Sequence, residues 1–132
     1  MKYFCILMLI LQSCTSGAQS DNGIRLLTFE DVSTISKDST IQLIDVRTID
    51  EYQKGYIGNA RLIDFRDKER FEEECMLLNP SAPVYLYCHS GVRSRKAAQI
   101  LLKMGFSQIF DYKGGYKEWF AKIRDSLPKR NE

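Results

Sequence analysis

The run VYLYC, Val84 to Cys88, has no polar face. A strand of this kind fits a parallel sheet covered by helices on both sides, and it belongs near the centre of that sheet. The flanking sequence alternates as such a layer requires. "IRLL" from Ile24, "IQLIDV" from Ile41, "ARLI" from Ala60 and "QIFDY" from Gln108 are further strand candidates. Between them lie helical stretches. Thr28 with Asp31 forms a capping-box-like start, Thr48 or Asp50 can open a short helix ended by Gly55, and a charged helix over 67–78 is stopped by Asn79-Pro80. From Arg93 the spacing of Ala97, Ile100, Leu101 and Met104 is helical, with Gly105 just past the end. In the last helix, "GGYKEWFAKIRD", Trp119, Phe120 and Ile123 are expected to pack inward. The expectation is an α/β fold: an open parallel sheet of about five strands with helices on both faces and right-handed crossovers.

A chain of 132 residues supports one such core. The first twenty residues read differently from the rest. The apolar run Tyr3 to Leu11 is too short to span a bilayer and fits the hydrophobic region of an export signal. Leu11-Gln12-Ser13-Cys14 resembles a bacterial lipobox that would make Cys14 a lipidated N-terminus, while Ser16 and Ala18 offer a rival small-x-small cleavage. The organisation expected is a signal peptide over 1–18, a linker over 19–24, one domain over 25–127 and a tail over 128–132. The protein is then exported, either periplasmic or held to a membrane through the Cys14 lipid. With a formal charge of +2 spread along the chain, no nucleic-acid footprint is present. Cys75 and Cys88 are the domain's cysteines, and no Cys-x-x-Cys or second histidine is available for a zinc site. No metal or other cofactor is expected.

Cys88 ends the central strand, where ligands collect in an open α/β sheet and the next helix points its N-terminus at them. The loop His89-Ser90-Gly91-Val92 can turn its backbone N–H groups inward, because glycine accepts positive φ. Those amides, the helix start near Arg93 or Ser94, and the Arg93 guanidinium favour negative charge on the sulfur, so a thiolate is the expected resting form. Cys75 shares helical spacing with Phe71 and Leu78 and reads as core, as do Tyr116 and Trp119.

Across Ile41 to about Asp125 the sequence resembles the rhodanese family of single-domain sulfurtransferases. "LIDVRTIDEYQKGYIGNA" is similar to that family's Asp-x-Arg, Glu-Tyr and Gly-His-Ile-x-Gly-Ala region, "YCHSGVRS" to its Cys-x-x-Gly-x-Arg-Ser loop, and "GGYKEW" to its Gly-Gly-x-x-x-Trp. Tyr56 stands where the family usually has histidine, Gly58 at a proline position and Asn59 at a glycine position. Rhodanese-related phosphatases and arsenate reductases carry Cys-x5-Arg. Here four residues separate Cys88 from Arg93, and the tighter loop suits a sulfur atom on Cys88 better than a phosphoryl group.

The resemblance implies transfer of sulfane sulfur from thiosulfate or a persulfide donor to a thiol or cyanide through a Cys88 persulfide. The amides of His89, Ser90, Gly91, Val92, Arg93 and Ser94 would stabilise that sulfur, and Arg93 would steer an anionic donor and hold the loop. His89 is expected at the pocket mouth, with a general-base role or mere exposure as alternatives. The Ser94 hydroxyl either donates to the sulfur or starts the helix. Asp45 and Arg47 are implied to brace the site. A non-catalytic binding or persulfide-carrier module is the alternative reading, and a phosphatase or arsenate reductase a third.

Overall fold

The computed structural model describes residues 20–128. The leader, Cys14 with the rival cleavage after Ala18, and residues 129–132 of the tail lie outside the described residues. The elements run β1 (Ser20–Asp21), β2 (Ile24–Leu26), α1 (Phe29–Ile35), β3 (Gln42–Asp45), α2 (Ile49–Gln53), β4 (Arg61–Leu62), α3 (Lys68–Cys75), β5 (Val84–Tyr87), α4 (Val92–Lys103), β6 (Ile109–Tyr112) and α5 (Gly115–Ser126). They form one sheet in the order β1-β2-β6-β5-β3-β4. The five strands from β2 to β4 are mutually parallel, and VYLY is flanked by β6 and β3, the central place that its lack of a polar face requires.

The two faces of β5 enter two cores. Val84 and Leu86 pack with Phe71, Cys75, Ala97 and Leu101 of α3 and α4, while Tyr87 packs with Val32 of α1 and Trp119 of α5. The strand run continues into Cys88, which belongs to the first of these clusters. Alternation along the strand thus sends an aliphatic set one way and the tyrosines the other.

Three details differ from the sequence expectation. Residues 19–24 were expected as a linker, but Ser20–Asp21 pairs antiparallel with β2 through a two-residue connection, and Ile24 is fully buried. Asn22 and Gly23 both have positive φ, 51° and 85°, as a two-residue hairpin turn of this hand requires. Helix α4 starts at Val92, ahead of the expected Arg93 or Ser94, with Gly91 as its N-cap. Of the three apolar residues expected to face inward on α5, only Trp119 joins the core. Tyr116 and Trp119, three apart, take the inward stripe, which leaves Phe120 and Ile123 rotated toward solvent.

The capping pattern read from Thr28 is present in full. Thr28 Oγ1 accepts from the Asp31 N–H at 3.1 Å, and Asp31 Oδ2 accepts from the Thr28 N–H at 2.8 Å. The Thr28→Ala variant loses the side-chain half of this exchange. A stability loss of about 1 kcal/mol is expected in the urea midpoint, with the slope of the transition unchanged.

Candidate active site

Cys88 follows β5 directly and is buried. Its Sγ accepts the Gly91 N–H at 3.1 Å. Gly91 has φ +93°, and a Cβ there would lie 2.5 Å from the Lys113 carbonyl oxygen, so glycine is needed both for the turn and for the close approach of the segment after β6. The next residue opens α4, twelve residues long, whose N-terminal end favours negative charge at the sulfur. His89 and Ser90 are exposed, as is Val92, while Ser94 is buried. Ser94 lies inside the first turn of α4, its Oγ donating to the Gly91 carbonyl at 3.3 Å, and no side chain caps the helix start.

The loop is held from outside by the last helix. The N–H groups of Tyr116 and Lys117, in the first turn of α5, donate to the carbonyls of Cys88 at 2.8 Å and His89 at 3.1 Å. A trans peptide carries its C=O and the next N–H on opposite sides. Fixing these two carbonyls toward α5 therefore turns the amides of His89 and Ser90 away from it. The contact is possible because Gly115 has φ +64° and no side chain. A Cβ there would sit 2.5 Å from the His89 oxygen and 2.7 Å from the Cys88 oxygen.

Arg93 makes a fork to Glu51, with Nη1 to Oε2 at 2.7 Å and Nη2 to Oε1 at 2.8 Å. Glu51 Oε2 also accepts the backbone N–H and hydroxyl of Thr48, both at 3.0 Å, as the N3 residue of the α2 capping box. The Arg93 hydrogen bonds hold the Glu51 carboxyl far below the usual carboxylate range, against the opposing pull of burial. Since the folded state depresses this group, its contribution to stability is in place above the ordinary carboxylate range and is lost only as the pH falls below it. The expected steering role of Arg93 is accordingly modified, because a carboxylate already neutralises its charge and fixes it against α2. Glu51 was not singled out from sequence. The Thr48-x-x-Glu51 spacing signals the cap, but nothing local signals a partner 42 residues away.

Asp45 and Arg47 do meet. Arg47 Nε and Nη2 donate to the Asp45 carboxylate at 3.0 and 2.7 Å, and Nη2 also reaches the Gly55 carbonyl at 2.6 Å. The guanidinium lies 4.1 Å from the Tyr116 ring centroid. The Tyr87 hydroxyl donates to Asp45 Oδ2 at 2.8 Å and accepts the Ile57 N–H at 3.0 Å, and burial pushes its phenol upward so that it remains a donor. Both carboxylate oxygens of Asp45 and the Nε and Nη2 of Arg47 thus have partners, which is what makes a buried pair tolerable. The network joins β3, β5, the turn after α2 and the start of α5.

The residues that depart from the resembled pattern shape this rim. Tyr56 is half exposed and stacks on Tyr52, with ring centroids 4.3 Å apart. Gly58 has φ +53°, and a Cβ there would collide with the Ser36 carbonyl at the end of α1. Cys75 is core, as read, and burial pushes its thiol up to about 12. Among the described residues, no cluster of three or more His, Cys, Asp or Glu side chains is arranged to hold a metal.

The contact between α5 and the loop makes Gly115 the most sensitive position outside the loop itself. For Gly115→Ala we expect a loss of at least about 2 kcal/mol, from positive φ combined with the clash. Chemical denaturation measures that loss, and amide exchange should show Tyr116 and Lys117 deprotected ahead of the β5 amides.

Comparison with known proteins agrees with this geometry. The family model for the rhodanese-like domain matches residues 28–122. The YqhL protein of Bacillus subtilis (strain 168) is 43% identical over 83 residues, covering 63% of this chain and 64% of YqhL, so the match spans less than two-thirds of that relative. The thiosulfate sulfurtransferase GlpE of Coxiella burnetii (strain RSA 493 / Nine Mile phase I) is 31% identical over 95 residues, covering 72% of this chain and 86% of GlpE. The crystal structure of a rhodanese-like domain protein from Staphylococcus aureus superposes with a TM-score of 0.61 at 28% identity, covering 71% of this chain and 89% of that one. With most of the domain matched and the sheet order and cysteine loop in place, the chain belongs to the rhodanese-like domain family.

Proposed function

We propose that this protein is a sulfurtransferase that carries sulfane sulfur on Cys88, taking it from thiosulfate or a persulfide and giving it to a thiol or cyanide. The observation that carries the reading is the Cys88 sulfur at the head of α4 with the Gly91 amide 3.1 Å from it, in a loop with four residues between Cys88 and Arg93. In the first half-reaction the Cys88 thiolate attacks the outer sulfur of thiosulfate. A Cys88 S–S bond forms as the donor's S–S bond breaks, and sulfite leaves with the electron pair. In the second, an acceptor thiolate or cyanide attacks the outer sulfur, and the Cys88 thiolate is the leaving group. Neither step requires proton abstraction, so His89 at the mouth acts on which donor enters. The amides of the loop stabilise the terminal sulfur as fixed donors stabilise an oxyanion. Glu51 and Arg93, with Asp45 and Arg47, keep that donor set in place.

Two further observations support the assignment to Cys88. GlpE, which is similar over 72% of this chain, is a thiosulfate sulfurtransferase by name. The other described cysteine, Cys75, is buried in the core with its thiol pushed up to about 12, so at neutral pH it is not a competing nucleophile. Export and lipidation at Cys14 belong to the same proposal and rest on the leader sequence.

Mass spectrometry tests the reading. After thiosulfate, the Cys88 peptide should gain one sulfur, about 32 Da, and cyanide should remove it. Cys88→Ser should show no gain. Failure of the wild-type protein to take up sulfur from both thiosulfate and polysulfide would leave a binding module in place of an enzyme.

A further inference from the structure

A groove of about 430 Å³ lies on the β2 and β6 side of the cysteine loop. Its walls include Leu26, Arg95, Lys96, Gln99, Asp111 and Lys113, and it shares Ser90, Gly91 and Val92 with the cysteine loop. The mechanism uses none of its side chains. Its unusual member is Asp111, the third residue of β6, which is 1% exposed; the Ser94 side chain is within hydrogen-bonding reach of its carboxyl, but Oδ1 itself has no hydrogen-bond partner among the described residues. A buried acceptor left unpaired forfeits its hydration without compensation, and a ligand that donates to it restores the lost hydrogen bond.

The chemistry around Asp111 narrows the ligand. A simple anion would face Arg95, Lys96 and Lys113 but has no proton to donate to Asp111 Oδ1. A metal ion is disfavoured because the single carboxylate is surrounded by cations, with Arg95 and Lys113 both acting electrostatically on Asp111. A ligand that is only cationic would leave Lys96 and Lys113 repelling it from the exposed side. A molecule with an ammonium and a carboxylate on one carbon satisfies both signs at once, and Leu26 and Val92 offer an apolar surface to its side chain. The volume suits an amino acid or a very short peptide.

We propose that this groove is a binding site for a small zwitterion of the α-amino acid type, its ammonium group donating to Asp111 and its carboxylate facing Lys96 and Lys113. Cys88 does not line this groove, although the loop residues Ser90, Gly91 and Val92 do, so occupancy is felt at the Gly91 amide that touches Sγ. Binding here does not depend on sulfur transfer, and the two can fail independently.

The test is a titration of the isotope-labelled protein with L-methionine, followed through its backbone amides by NMR. Two analogues each lack one charge: 4-(methylthio)butanoate and 3-(methylthio)propylamine. Saturating shifts are expected at Gly91, Lys96, Gln99 and Lys113 with L-methionine, and binding of each analogue should be weaker by about tenfold or more. Asp111→Asn should weaken L-methionine binding by a similar factor. The exposed variants Lys96→Ala and Lys113→Ala, which leave the buried carboxylate in place, should each weaken it several-fold. The proposal is overturned by the absence of saturating shifts at these amides, by analogues that bind as tightly as L-methionine, or by an unchanged affinity in the lysine variants. Sulfur uptake at Cys88, measured separately by mass, reports on the transferase reading alone.

Discussion

Two hydrogen bonds, from the Tyr116 and Lys117 amides to the carbonyls of Cys88 and His89, tie α5 to the Cys88 loop. The rest of the site depends on them, because they decide which way the loop's peptide groups face. With two carbonyls held by α5, the Gly91 amide and the head of α4 are left to address the sulfur. Glycines occupy both points of closest approach: Gly91 against Lys113, and Gly115 against His89 and Cys88. Gly115, the first residue of α5, is therefore part of the cysteine loop's surroundings, although it lies 27 residues along the chain from Cys88.

Around this contact stand two ion pairs of different character. Asp45–Arg47 is buried, and its Tyr87, Gly55 and Ile57 partners satisfy the groups around it, so it acts as a fixed brace between the sheet and the turn after α2. Glu51–Arg93 is partly exposed and bidentate, and it links the cap of α2 to the first turn of α4. Removing one partner from the first pair would strand a buried charge. Removing one from the second would chiefly loosen the loop's flank. Of the two roles expected of Arg93, steering a donor and holding the loop, the fork to Glu51 serves the second.

Much of this was legible in the sequence, and for definable reasons. The central position of VYLY follows from its lack of a polar face, the starts of α1 and α2 follow from Thr28-x-x-Asp31 and Thr48-x-x-Glu51, and the loop follows from a cysteine and a glycine between a strand and a helix. These are local patterns in which neighbouring residues determine one another. The Glu51–Arg93 fork and the Tyr87–Asp45 bond are not local. Each joins elements that become adjacent only when the sheet order is set. The β1 hairpin is an intermediate case. Asn22-Gly23 is a recognisable turn signal, but two-residue strands beside it carry too little pattern to separate it from a polar linker.

The central claim is that sulfur on Cys88 is an intermediate, and a single-turnover chase tests it most directly. The protein is loaded with thiosulfate labelled in its outer sulfur, freed of donor by rapid gel filtration, and then given cyanide alone. The account predicts one equivalent of labelled thiocyanate per loaded Cys88, with the thiol returned to its starting mass. Label that stays on the protein, or that reaches thiocyanate only while thiosulfate is still present, would contradict it.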